Sequence, residues 1–199
     1  ALGGAALFAS PVAEADKDAL RDVFARIVGP GVVRGDFAQT KTLASVSRKL
    51  SSRGRFLVSK EDGIVWDTRK PFASLLVVGE RGITQRTASG KLARVDAGSS
   101  PVFAQFSEAM RAVFAGDADA LFSRFDVFYR PGSSATWTVG LIPRDSVVRS
   151  VIASMELSGE DALKTFLVTE PTGDTVFYEF SSHAFSAGLV DDEKTLFAR

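Results

Sequence analysis

From Val33 onward the apolar pattern of this chain has a period of two, broken at short intervals by turn residues. Strands are expected near 33–42, 49–60, 63–69, 73–79 and 81–87, and again near 126–130, 135–142, 148–157, 162–170 and 175–183. Glu61-Asp62-Gly63 and Glu80-Arg81-Gly82 read as hairpin turns, with glycine supplying a positive φ. Further turns fall at Pro131-Gly132, Pro143-Arg144-Asp145, Ser158-Gly159 and Thr172-Gly173-Asp174. No helix recurs between strands at the rhythm of a parallel sheet, so the sheet is expected to be antiparallel.

Two stretches break the period. Asp16 is placed to cap a helix in which Leu20, Val23, Phe24 and Ile27 recur on one face, and Gly29-Pro30-Gly31 stops it. Ser100 and Pro101 suit the start of a second helix, whose Phe103, Phe106, Met110, Val113 and Phe114 form an apolar stripe ending at Gly116. Asp117 then caps a short helix carrying Leu121, Phe122 and Phe125. The fold class is mainly β (α+β): one curved antiparallel sheet of about ten strands, an incomplete barrel. The N-terminal helix and a helical lid over 101–125 cover its inner face in part. Either an apolar cavity remains between them or the helices fill it. Sheet mouths of this kind are common ligand sites.

Composition excludes several function classes. The 199 residues carry 24 basic and 24 acidic side chains. That balance argues against a nucleic-acid partner, while leaving room for a local basic cluster. With no cysteine and one histidine, thiolate and multi-histidine metal sites are excluded. No nucleotide-binding fingerprint or G-x-S-x-G elbow occurs, and His183 lacks the partners of a catalytic triad. Asp191-Asp192 and Glu160-Asp161 read as solvated turns. No enzyme activity, metal or cofactor is expected. The 16 phenylalanines, against two tyrosines and two tryptophans, point to apolar burial or contact without a polar handle.

The run Ala1–Ala15 is small and apolar and ends in an A-x-A pattern, Ala13-Glu14-Ala15. It reads as a signal-peptide remnant or a flexible tail, with 16–199 as a single domain. If the segment stays with the domain, Leu2, Leu7, Phe8 and Val12 are expected to enter the hollow or to remain disordered. No apolar run long enough for a membrane-spanning helix follows, so an exported, soluble protein is expected.

The order of short motifs resembles the LolA family of periplasmic lipoprotein carriers. The first half supplies Gly35-Asp36-Phe37-Ala38-Gln39, then Gly54-Arg55-Phe56-Leu57-Val58, then Lys60, Trp66, Pro71 and Leu75-Leu76-Val77-Val78. The second half supplies the corner Leu141-Ile142-Pro143-Arg144-Asp145 and the hairpin Glu170-Pro171-Thr172-Gly173-Asp174-Thr175. No one motif is specific; their order is. The resemblance implies an open half-barrel with an apolar cavity. It also implies a monomeric periplasmic carrier that shields a lipid, glycolipid or lipidated protein between an inner-membrane donor and an outer-membrane acceptor. A lipid-sensing or assembly module on the same fold is the alternative.

Where the family carries an arginine before the Trp, this chain has Lys60, a flexible point charge in place of a planar fork. By strand parity with Phe56 and Val58, Lys60 is expected at the cavity rim, facing a polar headgroup. Phe37, Phe56, Val58, Trp66, Leu76, Val78, Phe103, Phe106, Met110 and Phe114 are the expected lipid-contacting wall. For most of them core packing and ligand contact would use the same surface.

Overall fold

Strand follows strand by hairpins through most of the chain. The computed structural model describes residues 7–12, 16–80, 82–96, 112–113 and 116–198. Helix α1 spans Lys17–Val28, followed by β1 (Val32–Leu43), β2 (Arg48–Ser59), β3 (Gly63–Lys70), β4 (Ser74–Gly79), β5 (Gly82–Thr87) and β6 (Leu92–Asp96). After α2 (Ala118–Arg124) come β7 (Phe125–Pro131), β8 (Trp137–Pro143), α3 (Ser146–Arg149), β9 (Ser154–Gly159), β10 (Leu163–Thr169), β11 (Thr175–Ser186) and α4 (Asp191–Phe197). Among the described residues 11 strands form one antiparallel sheet, β6-β5-β4-β3-β2-β1-β11-β10-β9-β8-β7, with β6 and β7 at its ends. The long pairing of β1 with β11 joins the two halves of the chain at the centre of the sheet.

The sheet curls: Leu76 on β4 and Phe166 on β10, five strands apart in the order, line the same hollow. Its inner face carries one large apolar cluster. Leu20, Val23, Phe24 and Ile27 of α1 enter that cluster, beside Val33, Phe56, Val58, Phe125, Val139, Leu141 and Leu157. Each such burial is worth roughly 1.5–3 kcal/mol. The α1 pattern is therefore sufficient to fix the helix on the sheet. Gly29 ends it at φ 61°, as the Gly-Pro-Gly run requires.

The outer face has its own, smaller cluster. Val32, Leu57, Val65 and Val77 are covered by Leu189, just before the C-terminal helix, and by Leu196 and Phe197 from it. Leu75–Val78 is thus apolar at every position because Leu75 and Val77 face the outer cluster while Leu76 and Val78 face the apolar inner side of the sheet.

Several expectations need correction. The strand foreseen near 148–157 begins only at Ser154, because Asp145 Oδ1 accepts from the amides of Val147 and Val148 and starts α3 instead. Asp191-Asp192 opens α4 and is not a solvated turn; acidic residues in a first turn complement the helix dipole. Strand β6 was not foreseen, so the strand count is one higher than expected. Asp16 occupies the N-cap position of α1, but its side chain makes no cap hydrogen bond. Asp117 does cap α2, accepting from the Ala120 amide.

Of the apolar N-terminal residues, Leu2 lies outside the described residues, and Leu7, Phe8 and Val12 go elsewhere than foreseen. Phe8 meets Phe128 edge-on at 5.2 Å, on the outer face of β7. Gly140, beside Phe128 in the register, makes room for them: a Cβ there would lie 2.5 Å from Phe8 and 3.1 Å from Leu7. The Val12 amide donates to the Val127 carbonyl at 2.7 Å, on edge strand β7. Residues 7–12 therefore wrap the sheet edge and do not enter the hollow. Most of the expected lid, with Phe103, Phe106, Met110 and Phe114, lies outside the described residues; Val113 is fully buried in the main cluster.

Candidate functional site: an apolar hollow in the sheet

The inner face is packed at the α1 end and hollow at the other. The hollow has a volume of about 620 Å³, within the usual size of a ligand pocket. Ile64, Trp66, Leu76 and Val78 form one wall; Phe166, Val168, Val176 and Tyr178 form the facing one, with Ile152 between them. The rim is polar: Gln39, Thr68, Ser74, Gln85, Glu170 and Thr172. Gln85 donates to the Ser74 hydroxyl at 3.2 Å, Ser52 donates to Gln39 at 3.2 Å, and Lys41 pairs with Glu170 at 3.1 Å. An apolar body with a polar rim suits a molecule with a greasy part and a polar head.

An aromatic row separates the hollow from the packed end. Trp66 lies 5.4 Å from both Phe37 and Tyr178. Tyr178 stacks on Phe180 at 6.0 Å, and Phe180 meets Phe56 at 5.1 Å. Behind this row lies a small void of about 10 Å³, among Ile27, Val33, Phe56, Val58, Leu163, Phe180 and His183. That is barely one water in size. Burial pushes the Tyr178 phenol up to about 12, so it is neutral in the wall. Burial also lowers the His183 imidazole, whose Nε2 donates to the Leu163 carbonyl at 2.8 Å. His183 lies at the packed end, beside Phe56 and Phe180.

The expected wall residues divide accordingly. Trp66, Leu76 and Val78 line the hollow. Phe37 supports Trp66 from behind, and Phe56 and Val58 belong to the packed end. Lys60 is exposed, in the turn after β2, where its amide donates to the Gly31 carbonyl. It lies at the opposite end of β3 from the rim residue Thr68. Lys60 leaves the row of Phe56 and Val58 because β2 ends at Ser59. Ile152, Phe166, Val168, Val176 and Tyr178 were not singled out from the sequence. Their signal was the 166/168 and 176/178 alternation on either side of the Glu170–Asp174 turn, which puts all four on one face. The glycines of the two G-x-F motifs have a packing reason: a Cβ at Gly35 would strike Ser181 and Phe56, and one at Gly54 would strike the Asp67 carbonyl.

The class defined by this architecture is an open antiparallel half-barrel with a greasy hollow. The model of the family "Outer membrane lipoprotein carrier protein LolA-like" matches residues 9–196, and the chain belongs to that family. Solved structures with a similar fold include a domain assigned to outer membrane lipoprotein sorting from Vibrio parahaemolyticus. It is 14% identical with a TM-score of 0.47, over 92% of this chain and 97% of that one. A LolA superfamily protein from Nitrosomonas europaea is 8% identical with a TM-score of 0.46, over 88% and 96%. The MucA/MucB complex of Pseudomonas aeruginosa gives 13% identity and a TM-score of 0.46, over 88% of this chain and 60% of that one. A search of curated proteins found no match. The assignment rests on the family match and not on these superpositions.

Proposed function

We propose that the protein is a periplasmic carrier that shields the acyl part of a lipid, glycolipid or lipidated protein in its hollow during passage between membranes. The observation that carries this reading is the hollow itself, apolar-walled, polar-rimmed and open at one end of the strands. Each methylene removed from water is worth about 0.8 kcal/mol, so a sixteen-carbon chain represents on the order of 12 kcal/mol before ordering and association costs. No such molecule crosses an aqueous gap at a useful rate without a host. Partly buried Trp66 and Leu76 offer contact area to a chain at the surface of the hollow, which suits a host that must also release. In this reading 16–199 is the carrier domain, with residues 7–12 packed on its edge strand β7. Family membership supports export to the periplasm and a role without catalysis.

Native mass spectrometry of gently purified protein, followed by lipid extraction, tests the reading. A lipid bound at one per chain, and its movement from donor to acceptor vesicles when protein is added, are the expected results. A lipid-free protein that takes up no fluorescent fatty acid would refute it. Bound lipid that never moves between vesicles would favour a sensing or assembly module.

A further inference from the structure

The chain is neutral as a whole, but its charge is not evenly spread. Three segments meet at the end of the strands where the hollow opens: 43–54 at the β1–β2 tip, 67–75 at the β3–β4 connection, and 84–93 at the β5–β6 connection. The register joins them. Arg53 pairs with Lys70, Ser74 with both Thr68 and Thr87, Leu75 with Arg86, and Arg86 with Leu92. Together they carry seven basic residues, Arg48, Lys49, Arg53, Arg69, Lys70, Arg86 and Lys91, against one acidic residue, Asp67. The β10–β11 turn at the same end adds Glu170, held by Lys41 at 3.1 Å, and Asp174, whose carboxylate accepts from the Ala44 amide, so the basic excess lies on the β2–β6 side of the mouth. All seven are exposed, and Asp67 is engaged by Arg69 at 3.0 Å. Pairing with Ala38 and Leu75, on the face away from the hollow, puts Arg53 and Arg86 on the outer lip.

Large apolar side chains are exposed at the same end. Phe72, at the tip between β3 and β4, is 81% exposed. Val46 and Leu50 stand on the β1–β2 tip and Leu92 at the start of β6. Four of the seven exposed large hydrophobics of the described residues thus sit on these three segments, and a fifth, Val151, lines the hollow beside them. A basic lip studded with apolar tips has the chemistry of an anionic bilayer surface, in which cations meet lipid phosphates and apolar tips enter the acyl boundary. A solvent-facing lip would keep its charges mixed and its Phe covered.

We propose that this rim docks the protein on anionic phospholipid membrane, bringing the mouth of the hollow against the lipid surface. The proposal rests on the carrier reading for its purpose but not for its test. The cations give anionic selectivity and salt sensitivity, and Phe72 gives depth. Docking of this kind opens the hollow toward lipid and away from water at the moment of loading or release.

Co-sedimentation of the full chain with vesicles tests it. One set is phosphatidylcholine alone and the other contains phosphatidylglycerol at one part in three. Binding is expected only to the anionic set and is expected to fall with added salt. The double variant Arg53→Glu, Lys70→Glu should weaken it about tenfold or more. Phe72→Ser should weaken it several-fold while keeping the salt dependence. All three positions are exposed, and an unchanged thermal midpoint would show that the variants fold. Equal binding to both vesicle sets, or wild-type binding by the double variant, would overturn the proposal. So would a variant loss seen only with a nucleic acid probe and not with vesicles. Fluorescent fatty acid binding in solution reports the hollow separately. Variants that keep it while losing vesicles affect docking alone, and a wild type that binds vesicles but no fatty acid would sink the carrier reading and spare this one.

Discussion

The two ends of the sheet's inner face have the same strand pattern and opposite fates. At one end α1 presses Leu20 and Phe24 against β-strand side chains until almost no space is left. At the other, Trp66, Leu76, Val168 and Tyr178 face a hollow of about 620 Å³. The strands on both sides alternate alike, so the difference is made by what covers them. An apolar position is core where a helix reaches it and ligand wall where none of the described elements does. The same residue type therefore has a structural duty at one end and a binding duty at the other.

The largest contrast is in stability. Phe24→Ala removes a fully buried ring from the packed end and should cost about 3–5 kcal/mol in denaturant unfolding, with Leu20→Ala at about 2–5 kcal/mol. Leu76→Ala, in the partly buried wall, should cost about 1–2 kcal/mol, less than Leu20→Ala, and weaken lipid binding as well. If Leu76→Ala destabilised as much as Leu20→Ala, the hollow would be part of the core and the contrast would collapse.

A smaller effect is expected on the outer face, where the Arg34 guanidinium grips both oxygens of Glu193 and ties α4 over Val65 and Val77. Arg34 holds the Glu193 carboxyl below the usual carboxylate range. A depressed carboxylate stabilises the fold above its unfolded pKa, and that contribution is lost as pH falls through the folded value. Glu193→Gln should cost roughly 1–2 kcal/mol near pH 7 and flatten the acid limb of the stability profile below about pH 4.5. Lipid binding in the hollow should be unchanged.

His183 gives the mildest effect. Burial depresses its imidazole below 6.5, so the folded state resists protonation that the unfolded chain accepts. Stability contributed by the neutral ring is whole above about pH 6.5 and declines as pH falls below it. The thermal midpoint should slip slightly between pH 7.5 and 5.5, and His183→Gln should remove that slope. A midpoint rising on acidification would contradict the assignment of His183 to the packed end.

Much of this was legible in the sequence. The period-two runs, the α1 stripe and the glycine turns gave the antiparallel half-barrel, because each is a local signal that tertiary packing did not override. Helix α3 was not legible, since Val147-Val148 favours a strand until Asp145 caps it. Helix α4 was hidden because Asp191-Asp192-Glu193 is equally good as a surface turn; only Leu196 and Phe197 landing on the outer cluster identify it. The wall of the hollow was half legible. Trp66, Leu76 and Val78 stood out, whereas Phe56 and Val58 could not be told from them without knowing which end α1 fills. The basic lip escaped because it comes from three segments that are neighbours only in the folded register.

Trp66 allows the central claim to be read directly. In a Trp137→Phe chain it is the one remaining tryptophan, and it faces the hollow. Titration with a fatty acid brominated along its chain should quench its emission, saturating near one ligand per chain. The same titration of Leu76→Arg should leave emission unchanged, since the added charge occupies the wall. A brominated chain that binds the protein without quenching Trp66, or that quenches the Leu76→Arg variant equally, would place the ligand elsewhere and contradict the hollow as the binding site.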